Sequence, residues 1–330
     1  MKREFNGKSC VIPLGRLLSV TILALWAVGA ASSMYAADSA PTGPIDLTAK
    51  WQVGKRYLQR MEMVQTQEIS APNLSQNIKQ VVSQNQDIAF TALKELAGGG
   101  KELEMEIVSQ KMEVKMGDQA LMKFDSTTDP KEDGNNPVAA AFRNILRIKV
   151  KFLTDAAGAI QKVENYKAFL DQATSKGSAE VQSMLKNMLS EENIKRMGLA
   201  APGLPGKPVQ VGDTWPSQVD LDLGSMGKIN INMKSVFKGW EAKGKAQCAL
   251  LEHTGSITNQ PGKDKDSIKM TVENGHSSGR IWYDPSLGMV SEVVANQDMV
   301  MKMNAASQNA TIRLAQQVTT RLVEVKDAPK

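Results

Sequence analysis

From Met61 onward, apolar and polar side chains alternate in steps of two over most of the chain. Met61, Met63 and Gln65 face one way, and Glu62, Val64 and Thr66 the other. Leu103, Met105 and Ile107 alternate with Glu102, Glu104 and Glu106, and Met112, Val114 and Met116 with Lys111, Glu113 and Lys115. A period of two predicts half-buried antiparallel strands with one wet face. Gly98–Gly100 and Gly117-Asp118 supply the backbone freedom of hairpin turns. The middle of the chain changes period. Pro137–Leu146 is Ala-rich and predicts a helix with Pro137 in its first turn, followed by a strand over Arg147–Phe152 and a short helix over Tyr166–Gln172. Val181, Met184, Leu185, Met188 and Leu189 make one helical stripe over Ser178–Leu189, with Ser178 as N-cap, and Ser190 caps a further turn to Met197. Gly198–Pro208 is rich in Gly and Pro and reads as a linker. Strands return at 217–223, 228–238, 245–257, 267–273, 278–284, 289–303 and 309–325, with turns at Gly224–Gly227, Gly239–Gly244 and Pro261–Asp266.

Two landmarks recur in the same order. Val53-Gly54-Lys55-Arg56-Tyr57 returns as Val211-Gly212-Asp213-Thr214-Trp215, a Gly turn feeding an aromatic at a strand start. Asp155-Ala156-Ala157-Gly158-Ala159-Ile160 returns as Asp284-Pro285-Ser286-Leu287-Gly288-Met289-Val290, an Asp-to-Gly turn between two strands. Tandem duplication of a β-meander explains the order. Chance recurrence of common turn sequences is the competing reading. On Trp51–Tyr57, the Leu153–Val163 hairpin and Pro208–Trp215, the chain resembles, from about Leu47 to Val325, an uncharacterised family of exported bacterial proteins, known only as a domain of unknown function. That resemblance brings no catalytic residues with it. In layout alone, a long antiparallel sheet with inserted helices is similar to periplasmic lipoprotein carriers and other lipid-binding half-barrels. Layout does not fix function.

The first 37 residues change the picture. Lys2, Arg3, Lys8 and Arg16, with only Glu4 against them, precede an apolar run from Leu17 to Ala31 and small residues through Ala37. This order is that of a cleaved secretory signal peptide, with a cut after Ala36 or after Ala31. The apolar run is about 15 residues, short of the roughly 20 that a spanning helix needs, so no permanent membrane anchor is expected. Cys10 lies too early to be a lipid-attachment cysteine. The expected product is a released periplasmic or extracellular protein. Residues 38–46 then form a flexible lead-in, 47–200 a first β lobe with its helical segment at 137–200, and 201–330 a second β lobe. Removing four basic residues and one acidic residue lowers the formal charge from +5 to about +2. A nearly balanced surface gives no reason to expect nucleic acid. Only Cys248 remains, within the apolar stretch Ala246–Leu251, so no intramolecular disulfide forms and the thiol is expected to pack as a small hydrophobe.

Candidate chemistry is sparse. His253 and His276 are the two histidines, read as exposed or turn residues, and His276-Ser277-Ser278-Gly279 lacks the nucleophile-elbow pattern. The sequence holds no His-Glu-x-x-His and no cysteine pair for zinc. Glu102, Glu104 and Glu106 look like a solvated strand face. Gly98–Lys101 is a hairpin and not a phosphate cradle. Met299, Met301 and Met303 share one strand face, and thioethers so spaced can ligate Cu(I). The same chain uses Met61/Met63, Met112/Met116 and Met184/Met188 as core filler, which makes a core stripe the competing assignment.

The sequence therefore predicts an α+β, predominantly antiparallel β protein of two β-meander lobes with an inserted helical segment. It identifies no catalytic residues, no cofactor and no metal site beyond the methionine candidates. The function expected is non-enzymatic binding of an apolar small molecule or lipid, or of an envelope protein, on a curved sheet. A carboxylate-dependent hydrolase and a purely structural or interaction protein are the alternatives. If the methionines are core, a Cu(I) competition titration finds no high-affinity site in the parent chain. Tight binding lost in Met301→Ser selects copper instead.

Overall fold

The computed structural model describes residues 43–72, 74–175, 178–197, 203–222, 227–261, 269–305 and 308–329. The leader at 1–37, residues 38–42 of the lead-in, and parts of the 198–208 linker and of the turns near 224 and 261–268 lie outside the described residues. Twelve strands form one antiparallel sheet: β1 (Lys55–Ser70), β2 (Ile78–Glu95), β3 (Lys101–Met116), β4 (Gln119–Asp125), β5 (Lys149–Thr154), β6 (Ile160–Glu164), β7 (Thr214–Asp222), β8 (Gly227–Lys243), β9 (Ala246–Pro261), β10 (Lys269–Asp284), β11 (Met289–Ala305) and β12 (Gln308–Asp327). The order across the sheet is β6-β5-β3-β2-β1-β12-β11-β10-β9-β8-β7, with β4 beside β3. The two lobes are thus halves of one sheet, joined where β1 pairs with β12 from Lys55↔Asp327 to Ser70↔Thr311.

Both meanders cross the sheet in the same sense, and their irregularities coincide. The Gly54 amide donates to Ala92 O and the Gly212 amide to Phe237 O, each at 2.8 Å. The β2–β3 ladder skips a residue between Ala92 and Lys94, and the β8–β9 ladder between Phe237 and Gly239. A register shift follows Leu153 in β5 and Trp282 in β10, two residues before the turn aspartates Asp155 and Asp284. The side chain of each aspartate caps its own turn, Asp155 accepting from the amides of Ala157 and Ala159, Asp284 from those of Ser286 and Leu287. Turn chemistry alone recurs by chance. The bulges also fall at matching ladder positions of the two meanders.

Between β4 and β7 lie helices α1 (Pro137–Ile145), α2 (Tyr166–Ala173), α3 (Ala179–Met188) and α4 (Glu191–Met197). The expected caps Ser178 and Ser190 accept from Val181 and Asn193, and Asn136 Oδ1, not singled out in the sequence, accepts from the amides of Val138 and Ala139 ahead of Pro137. Phe142, Ile145, Phe169, Val181, Leu185, Leu189 and Ile194 share one buried cluster with Tyr57, Met61, Phe90, Leu103, Met105 and Ile107 of the sheet. The stripe read for α3 is buried at Val181, Leu185 and Leu189; the side chains of Met184 and Met188 lie outside the description.

Residues 45–51 form a strap across one end of the sheet. Ile45 pairs with Val209 through two backbone bonds of 2.7 and 2.9 Å, just before the edge strand β7. Tyr283 donates its hydroxyl to Thr48 O at 2.8 Å, and Trp51 packs edge-on against Tyr57. Ala49 O lies beside Gly158 in the β5–β6 turn, while the Lys50 amide bonds Gly288 O in the β10–β11 turn. In a flat sheet six strand spacings would separate those turns by about 29 Å. Two consecutive residues of the strap touch both, so the sheet is strongly curled at this end. The described end of the lead-in, at Ile45, is therefore fixed to the fold and not slack.

Three strand expectations needed correction. Segments 267–273 and 278–284 are one strand, β10, with a bulge between Glu273 and His276 that lets Gly275 sit against Ile257. Gly239 is a bulge inside β8, where a turn was expected, and the turn itself is Gly244-Lys245. Strand β7 begins at Thr214 because the Val211-Gly212 turn delivers Trp215 straight into the ladder with β8. Leu47 is fully buried beneath the strap, and Leu47→Ala is expected to cost about 2–5 kcal/mol. Urea unfolding checks it, through a lower midpoint at unchanged slope.

Candidate functional site

The two faces of the sheet are chemically opposite. Among the described residues, inward strand positions carry no Lys, Arg, Asp or Glu except the pair Lys55 and Asp327 at the strap end: along β1 they continue as Tyr57, Gln59, Met61, Met63, Gln65, Gln67 and Ile69, and along β12 they include Ala310, Ile312, Leu314, Gln316, Val318 and Thr320. Outward positions include Arg60, Glu62, Glu68, Asp298, Lys302 and Arg313. A transmembrane barrel needs the reverse, an apolar outside around a polar interior. Among the described residues no helix is long and apolar enough to cross a membrane.

The inward apolar positions fall into two groups. Toward the strap lies the large cluster shared with the helices. At the opposite end of the strands lies a second cluster, built from Ile69, Ile229, Ile231, Ile257, Met270, Met299, Met301, Met303, Ile312 and Leu314. Met299, Met301 and Met303, the copper candidates, sit here; Met301 is fully buried opposite Ile312, and Met303 opposite Met270. Their neighbours are aliphatic, which is the setting of adaptable core thioethers.

Buried amides interrupt this face, some between the clusters and some, Gln86 and Gln110, within the strap-side one. Gln65, Gln316 and Gln297 are direct cross-strand neighbours on β1, β12 and β11, and Ser277 on β10 continues the row. Gln86 faces Gln110 across β2–β3, and Gln67 faces Gln80 across β1–β2. All are buried. The Gln316 side-chain amide donates to Met63 Sδ at 3.5 Å, a weak acceptor. Gln86 Oε1, Gln110 Oε1, Gln297 Oε1 and Gln67 Nε2 have no hydrogen-bond partner among the described residues. A signal was present: these glutamines fall in phase with the methionines, on the apolar side of the alternation.

His253 belongs to the same inward face. It is buried on β9, cross-strand from Ser235 and Gly279, and a Cβ at position 279 would lie 2.5 Å from its Cε1. The expectation of an exposed or turn histidine fails here because glycine opposite leaves room for the ring. His276 is exposed, although it lies in strand β10. Cys248 is a free buried thiol 3.6 Å from Ser291 Oγ, and burial pushes its pKa up to about 11.

The carboxylate row is not a simple wet face. Glu102 and Glu106 are buried on the outer side under the long side chains that pair with them. Glu102 bridges Lys94 and Lys151 at 2.8 and 2.9 Å, Glu104 meets Lys149 at 2.7 Å, and Glu106 meets Arg56. Hydrogen bonds from Lys94 and Lys151 hold the Glu102 carboxyl below its ordinary range, the wrong direction for a general acid. Among the described residues no group of three His, Cys, Asp or Glu is placed to hold a metal ion.

Burial lowers the His253 pKa below 6.5. The unfolded chain takes up that proton first, so the contribution of the neutral ring is complete above pH 6.5 and is lost as pH falls below it. Thermal melts between pH 8 and 5 should show this loss, and His253→Gln should flatten the profile in that window.

No curated protein sequence matches this chain. Among solved structures it is similar to lipovitellin, studied for lipid–protein interactions, at TM-score 0.46 and 12% identity over 85% of this chain. This chain spans only 26% of lipovitellin. It is also similar to a protein of Bacteroides fragilis NCTC 9343 described as exported with a YmcC-like fold, at TM-score 0.30 and 8% identity over 85% and 99% of the two chains. A third likeness is to a protein of Parabacteroides distasonis ATCC 8503 described as a lipoprotein, at TM-score 0.27 and 12% identity over 86% and 100%. Likenesses this weak carry neither fold nor activity across. The sequence profile of DUF6263 matches residues 98–290, and the chain belongs to this family of unknown function.

Proposed function

We propose that the chain is an exported envelope protein that binds an apolar molecule inside its curled sheet and catalyses no reaction. The observation that carries this reading is the inward face. Twelve strands and a strap surround two apolar clusters, and among the described residues the only charged inward strand positions are the paired Lys55 and Asp327 at the strap end. A single-layer sheet needs only a modest core to be stable; this one lines a much longer inner surface. Methionine is frequent on that surface, at Met61, Met63, Met105, Met112, Met270, Met299, Met301 and Met303. Thioether side chains repack at small cost, which suits a wall that must accept and release an occupant. The leader read at residues 1–37 supports action outside the cytoplasm.

The test is retention and uptake. Protein purified without detergent and extracted with organic solvent should yield a lipid at near-stoichiometric amount by mass spectrometry. The delipidated protein should take up a fluorescent C16 acyl probe from vesicles while keeping its cooperative unfolding. Protein that retains no lipid and takes up no probe overturns the reading.

A further inference from the structure

We infer that a niche around His253 on the inward face takes the carboxyl head of a single-chain acid together with one proton. This rests on the interior being a ligand site and adds which part of its wall reads the head. On four adjacent strands the step between the two apolar clusters is filled by polar or glycine positions: Ser235 on β8, His253 and Gly255 on β9, Ser277 and Gly279 on β10, and Gln297 on β11. The ladders set them side by side. His253 stands opposite Ser235 and Gly279, Gly255 opposite Ser277, and Ser277 opposite Gln297. Such partners are about 5 Å apart and successive positions on one face of a strand about 7 Å, so the six line one site. Its floor is bare backbone at Gly255 and Gly279, where a Cβ would lie 2.2 Å from Asn232 O and 2.3 Å from Val294 O. The His253 ring reaches over that floor, its Nε2 2.7 Å from where a Cβ of residue 279 would be.

The chemistry of the niche selects the head. Burial alone acts on the His253 pKa, so neither a hydrogen bond nor a charge reaches the ring from its surroundings. The side chains that flank it on the inward faces of β8, β9 and β10 do not titrate. Gln297 Oε1 is a buried acceptor without a donor among the described residues. The charged inward pair is elsewhere: Lys55 meets Asp327 at 2.9 Å at the start of β1, whereas the row of His253 crosses β1 at Met63. An ammonium head would meet no carboxylate here, and a hydrocarbon would leave the ring and Gln297 without partners. A carboxylate that enters with a proton from water makes a pair without net charge. The proton sits on the ring, which then has two N–H donors, one for the carboxylate and one for an acceptor of the wall. The Ser277 hydroxyl supplies the further hydrogen bond that a buried ion pair needs. With apolar clusters on either side, a head held here projects its chain into one of them.

The experiment uses the full mature chain, delipidated, with dodecanoate and dodecanamide as heads on equal chains, measured by displacement of an uncharged fluorescent acyl ester. The free ring and free ligand are both unprotonated above pH 7, so binding must take up the proton. Dodecanoate should bind at least fivefold more tightly at pH 7 than at pH 8, and dodecanamide equally at both. Calorimetry in two buffers of different ionisation enthalpy should show about one proton taken up per dodecanoate, a readout that needs no variant. His253→Gln should unfold cooperatively, lose at least tenfold in dodecanoate affinity and less than threefold in dodecanamide affinity. Dodecanoate that binds without proton uptake, or as tightly to His253→Gln as to the parent chain, overturns the inference on the head while apolar binding stands. Absence of binding by the ester and by both C12 compounds overturns both.

Discussion

The ladder between β1 and β12 is the contact on which the rest depends. It closes the two meanders into one sheet, and it brings the first strand of the first against the last strand of the second. Without it each half would present an apolar inner face with too little of its own chain to cover it. With it, the inner faces of β1, β2 and β3 and of β8 to β12 become one surface, backed at one end by helices and drawn together by the strap. Curling follows from the same economy of surface. A single layer has no second sheet to pack on, so its apolar side must fold toward itself.

Much of this architecture was legible in the sequence because it is local. Period-two alternation marked the strands, Gly98–Gly100 and Gly117-Asp118 the hairpins, and Pro137, Ser178 and Ser190 stand where helices begin. The repeated Asp/Gly turns were readable for the same reason, since an aspartate caps a turn with its own side chain. What was not legible depends on partners far along the chain. That two lobes are one sheet is decided by Lys55 meeting Asp327, and nothing near either residue announces it. The strap was read partly as slack because Ile45 has its partner at Val209. Bulges at Gly239 and Gly275 looked like strand ends because glycine signals both.

The candidate site was missed for a different reason. Glutamine is ordinarily a surface residue, so Gln65, Gln67, Gln84 and Gln86 drew no attention as a group although they sit in phase with Met61, Met63, Val82 and Ile88. Their polarity also constrains the ladder. A slip of one residue in β1 would carry Gln65 and Gln67 to the outside and bring Glu62 and Glu68 into the interior, where neither has a cation. These amides thus make wrong registers expensive along strands long enough to invite them.

The β1–β12 seam has a last consequence, for the order in which the chain can become a protein. Synthesis delivers the amino terminus first, yet the middle of the sheet is completed by residues 308–327. Until they arrive, β1 has one neighbour and an open edge. Closing a loop from Ser70 to Thr311, 241 residues apart, this late makes folding slow and leaves that edge exposed meanwhile. A chain of this design stays open at its centre for as long as its last strand is missing.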